Sequence, residues 1–100
     1  MYKKLMHREY IVETPSTGEF STNTIRLEGI CRQIVIEPVT STTAYEFQII
    51  DDRDIVIFET DTETGNYPEL TTLPMYGIYT VKIFNATVDE EFKLQLILEV

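Results

Sequence analysis

The sequence predicts an all-β fold, an antiparallel β-sandwich of jelly-roll-like build with about six to eight short strands. Twelve Ile, seven Val and fourteen Thr make one third of the 100 residues β-branched, and eleven aromatics join them. Such side chains suit a pleated, half-buried surface better than a helix turn. Alanine, the best helix former, stands only at Ala44 and Ala86, and no apolar stripe of helical period runs beyond two turns. Short apolar runs alternate instead with turn clusters, and a chain of this length supplies one two-layer core without a second fold beside it.

The first strand runs from Leu5 to Glu13 and ends at Pro15. Residues 14–24, TPSTGEFSTNT, are nearly all small, polar or turn-forming and read as a flexible linker or wide loop. The chain thus divides into a basic arm or first strand (1–13), the linker (14–24) and a single sandwich domain (25–100). Thr24 to Leu27 and Ile30 to Glu37 carry strand residues, with Gly29 between them marking a bulge or tight corner, and Pro38 stops the pairing. In residues 44–60, AYEFQII and IVIFET flank Asp51-Asp52-Arg53-Asp54 and form a hairpin, since Asp bonds nearby backbone N–H groups in turns. The unbroken apolar run Ile55 to Phe58 predicts a strand covered on both faces, centrally or by a partner subunit. Thr60 to Tyr76 reads as a long loop, anchored by Tyr67, Leu70, Leu73, Met75 and Tyr76, that packs on its own domain or against a partner. Ile78 to Asn85 alternates, as do Phe92, Leu94, Leu96, Leu98 and Val100, and the intervening NATVDEE predicts an antiparallel hairpin.

Seventeen acidic against eight basic side chains give a formal charge of −9, which argues against a nucleic-acid binder held by counterion release. No apolar run approaches the roughly 20 residues of a membrane span, and the start MYKKLMHREY lacks the apolar core of a secretory signal, so the chain reads as soluble. One cysteine, Cys31, precludes an internal disulfide. The charge is divided by position: Lys3, Lys4 and Arg8 make the first eight residues +3 with His7 neutral, leaving −12 for residues 9–100. That segment is either a first strand with solvated cations or an arm that reaches an acidic neighbour or donates its strand to another subunit.

Catalytic chemistry is thin. The sole histidine, His7, lies in the basic arm and the sole cysteine in an apolar strand, so no nucleophile has a base beside it. Cys31 reads as a core or interface residue, with Arg32 pointing to the other face. Two such residues cannot ligate zinc, and the four glycines stand apart without forming a phosphate loop. Asp51, Asp52 and Asp54, with Asp61, Glu63 and Glu69, offer oxygens for Ca²⁺, against the plainer reading of solvated acidic turns; no EF-hand spacing appears. The expectation is a protein without enzymatic activity or cofactor.

With the strands placed, residues 45–100 resemble small β-sandwich structural proteins of tailed-phage virions. The likeness lies in YEFQII-DDRD-IVIFET, the run Pro74-Met75-Tyr76-Gly77-Ile78-Tyr79-Thr80-Val81 and the closing NATVDEEFKLQLILEV. It is one of style and covers about half the chain; the Gly-x-Tyr-x-Val and Asp-x-x-Phe pattern also occurs in carbohydrate-binding and adhesin-like sandwiches. The resemblance implies a capsid decoration or cement protein on the virion surface, partnered by the major capsid protein or another virion protein. It further implies a homo-oligomer, often a trimer, that binds neither nucleic acid nor membrane. On this reading Lys3, Lys4 and Arg8 dock electrostatically, while Tyr67, Leu70, Leu73 and Met75 supply apolar contact. The alternative is a carbohydrate-binding module in which Tyr67, Tyr76 and Tyr79 stack on sugars, though the chain has no tryptophan. A third, an acid–base hydrolase built on Asp52 or Asp54, lacks a constellation to support it.

Overall fold

Apolar alternation gives every strand one face to bury, and pairing decides what that face meets. The computed structural model describes residues 5–14, 18–22 and 25–100. Eight strands follow in order: β1 (Leu5–Thr14), β2 (Phe20–Ser21), β3 (Ile25–Pro38), β4 (Ala44–Asp51), β5 (Val56–Glu59), β6 (Glu63–Thr64), β7 (Tyr67–Phe84) and β8 (Glu90–Glu99). They pair in the order β1-β8-β3-β7-β4-β5, with β2 on β7 and β6 on β4, antiparallel throughout. First pairs with last, β2 with β7 and β4 with β5, a nesting that gives the sandwich its jelly-roll character.

The sheet folds over on itself. β4 and β8 are three places apart in the pairing order, a separation of about 14 Å in a flat sheet at the usual strand spacing. Yet Tyr45 of β4 meets Phe92 of β8 edge-on, with ring centroids 5.3 Å apart. β3 and β7, 14 and 18 residues long, therefore pass from one layer into the other. Between the layers lie Phe47 and Ile49 of β4, Val81 and Ile83 of β7, Ile34 and Ile36 of β3, and Leu94, Leu96 and Leu98 of β8, all buried. The buried Tyr45 hydroxyl donates to the Gly65 carbonyl at 2.6 Å, so its burial strands no polar atom.

The bulge falls three residues beyond Gly29. Buried positions in β3 are Leu27, Gly29 and Cys31, then Ile34, Ile36 and Pro38, and the register shifts between Cys31 and Gln33 against both neighbours. One extra residue, Arg32, switches the alternation and keeps the apolar set on the core side. The two expected strands flanking Gly29 are accordingly one.

Three further expectations change. β7 and β8 form no hairpin: β3 lies between them in the pairing order, and Val81, Ile83, Leu94 and Leu96 all belong to the one buried core. Asn85 and Asp89, at φ 50° and 54°, turn the chain from one layer to the other. The expected long loop is largely β7 itself. Its prolines, Pro68 and Pro74, fall where β7 has β3 on one side and, among the described residues, no strand on the other, since β4 pairs only with residues 79–84. On that open side the Tyr76 N–H donates to the Tyr79 hydroxyl at 2.9 Å, and Pro74, two residues away, shares its orientation. The run Ile55 to Phe58 is not covered on both faces: β5 ends the pairing order, with Ile55 and Val56 exposed and only Ile57 and Phe58 packed inward.

β1 pairs with β8 along its whole length, from Leu5 opposite Glu99 to Thr14 opposite Glu90. Of the expected linker, residues 18–22 lie on the sheet: the Gly18 carbonyl accepts the Ala86 N–H at 3.1 Å, and Phe20 pairs with Ile83. Residues 15–17 and 23–24 of that stretch, and residues 1–4 of the arm, fall outside the described residues.

Candidate functional site

The register of β1 on β8 fixes the site. Directly opposite residues share a face, so Met6, Arg8, Tyr10 and Val12 stand with Leu98, Leu96, Leu94 and Phe92 on the core side of their layer. Val12 is buried and Tyr10 half-buried, but Arg8 and Met6 are exposed. The opposite layer covers one end of β1 and leaves the other open. There a cleft of about 500 Å³ forms, with Leu27 and Leu98 at its base, Met6, Tyr76 and Val100 around it, and Arg8, Arg26 and Glu28 at its rim.

A second cleft, about 410 Å³, lies along the open side of β7. Leu73, Pro74, Gly77 and Ile78 form one wall, and Ile57 with the Asp51-Asp52-Arg53 tip of the β4–β5 hairpin forms the other. Tyr76, 64% exposed, lines both clefts and divides them.

The charges of this face differ in how far they are satisfied. Arg26 pairs with Glu28 at 2.8 Å, both well exposed, a contact worth little in water. Arg8 has no carboxylate partner among the described residues, which include all seventeen acids of the chain.

At the hairpin tip Asp51 organises the turn. Its Oδ1 accepts the Arg53 and Ile55 backbone N–H groups at 2.9 and 3.0 Å, and its Oδ2 takes the Arg53 guanidinium at 2.7 Å. The Arg53 side chain, and then the Ile55 N–H, hold the Asp51 carboxyl below its ordinary pKa. A lowered folded-state pKa means that this anchoring is complete above the ordinary aspartate value and is lost as pH falls through the lowered one. In an amide NMR titration the Arg53 and Ile55 signals are expected to move together at a midpoint below that of ordinary aspartate. Asp51→Asn should abolish the shared transition; independent movement at the ordinary value would contradict the geometry.

The remaining sequence candidates scatter. Leu70 is 75% exposed, Tyr67 and Leu73 are half-buried, and Met75 is fully buried in the core and presents nothing to a partner in this fold. Lys3 and Lys4 lie outside the described residues. Of the three tyrosines weighed for sugar stacking only Tyr76 is open, since Tyr79 is 8% exposed and Tyr67 half-buried. Cys31 is buried; loss of solvent raises its thiol pKa, and the Sγ–H points to the Gln33 carbonyl. Asp52 and Asp54 are exposed, and no group of three or more His, Cys, Asp or Glu among the described residues gathers to hold a metal ion.

Sequence reasoning passed over Met6, Ile57, Leu98 and Val100 as parts of a surface. The alternation back from Val12 carried a signal for Met6 and Arg8; the others depend on where β8 and β4 end. Neither models of known protein families nor curated proteins match the chain.

Proposed function

We propose that the chain is a non-enzymatic structural protein of a tailed-phage virion, of the capsid decoration or cement type, and that it docks through the face centred on Tyr76. The observation that supports this reading is one exposed aromatic ring standing between an apolar cleft and a second cleft whose apolar wall faces the charged Asp51-Asp52-Arg53 tip, on a body of net charge −9. An open aromatic flanked by depressions is the anatomy of an interface anchor, and apolar patches rimmed by polar groups mark contact sites. The acidic remainder opposes non-specific association away from this face. On a symmetric shell, modest contacts multiply by repetition, so a homo-oligomer such as a trimer needs no deep interface per copy. The partner is the major capsid protein or another virion protein, and Arg8 contributes its charge beside the apolar contact.

Tyr76→Glu places a charge at the centre of this face without disturbing the core, because the ring is exposed. Occupancy of particles by the variant should fall at least tenfold with its circular dichroism unchanged; unchanged occupancy would remove Tyr76 from the interface. The exposed ring also favours one second reading, stacking on a sugar face. Saturable binding in a glycan panel, lost in Tyr76→Ala, would support that reading instead.

A further inference from the structure

We propose that the Arg8 cleft is a binding site for a small amphiphilic carboxylate, with the anionic head on the Arg8 guanidinium and an aliphatic or aryl body against Leu27 and Leu98. This site shares Arg8 and Tyr76 with the docking face proposed above, but it is argued from the cleft's own shape and charge and does not rest on that reading. Its volume of about 500 Å³ lies within the span of small-molecule pockets, and its base is apolar, with Leu27 and Leu98 each 1% exposed. Met6, Tyr76 and Val100 give apolar walls, so an alkyl or aryl group gains burial along most of its length.

The head group follows from the charges. The register opposite Leu96 places Arg8 on the core-facing side of β1, at the mouth of the cleft. Arg26 is already compensated by Glu28, which leaves Arg8 as the one charged side chain of the lining without a carboxylate side-chain partner among the described residues. A guanidinium binds a carboxylate through two parallel hydrogen bonds. The net charge of −9 repels multiply charged anions from the body as a whole, so one negative charge on an apolar tail fits best.

The test is an amide NMR titration of the full chain with octanoate, octanol and octyltrimethylammonium. Octanoate should shift the Met6, Arg8, Leu27, Gly29, Tyr76 and Leu98 signals saturably, and octanol and the cation should bind at least tenfold more weakly. Arg8→Gln, at an exposed position, should keep a dispersed spectrum and bind octanoate at least tenfold more weakly than the parent, at the level of octanol. Absence of saturable octanoate shifts at these residues overturns the proposal. A difference of less than tenfold between octanoate and either other probe, or between parent and Arg8→Gln, overturns it equally. None of these readouts involves a virion, so failure here leaves the docking face standing, and failure of docking leaves this site standing.

Discussion

Phe92→Ala is expected to destabilise the protein by about 3–5 kcal/mol, the range for removing a buried aromatic side chain. Phe92 is fully buried, and its ring abuts Tyr45 across the sandwich at 5.3 Å between centroids. Truncation would open a cavity at the contact that holds β8 of one layer against β4 of the other, where close packing on all sides leaves little room for collapse. In urea unfolding the midpoint should drop sharply with the slope unchanged, and the thermal midpoint by more than about 12 °C for a chain of this size. Phe92→Leu, which keeps most of the volume, should lose much less. A loss below about 1 kcal/mol for Phe92→Ala, the scale of an ordinary surface change, would contradict the folded-over sheet.

Gly29→Ala should cost about 2–4 kcal/mol, from backbone strain and overpacking together. Gly29 lies in the middle of β3 at φ 142°, and an added Cβ would stand 2.7 Å from the Glu99 carbonyl oxygen and 2.9 Å from Val100 Cγ1. The missing side chain lets the end of β8 close onto β3 at the base of the Arg8 cleft. Gly77→Ala makes the comparison: its φ of 156° also favours glycine, so backbone strain is common to both, but the nearest neighbour of an added Cβ is the Tyr79 hydroxyl at 4.0 Å and no overpacking is added. Unfolding curves should show the Gly29 variant markedly less stable than the Gly77 variant. Equal stabilities would place the end of β8 elsewhere.

The parts of the fold that rest on local signals were legible in the sequence. The β4–β5 hairpin announces itself through Asp51-Asp52-Arg53-Asp54, and the turn is held by the Asp51 side chain as the residue type predicts. β8 follows from strict alternation. What was not legible is which strands become neighbours. Pro68 and Pro74 made β7 resemble a loop, and nothing local reveals that one side of its first part has no partner among the described residues. β7 and β8 lie close in sequence, yet their apolar faces meet across the core instead of side by side, a choice made by the turn through Asn85 and Asp89.

The candidate site shows the same division. Met75 reads as an apolar anchor of the expected long loop, but extending the alternation of Tyr79, Val81 and Ile83 backwards places it in the core, where it lies. Arg8 entered the reading as part of a charge cluster, whereas its register on β8 sets it facing an apolar cleft. Tyr76 joins two clefts because β8 ends near one of them and β4 near the other, and strand ends are where sequence patterns are least informative.

Attachment to a virion, as proposed, is open to mass spectrometry across a density gradient of lysate from the natural source. Peptides of this chain should co-sediment with assembled particles at high copy number, and Tyr76→Glu should release the chain to the top of the gradient. A wild-type chain found only at the top, free of particles, would contradict it.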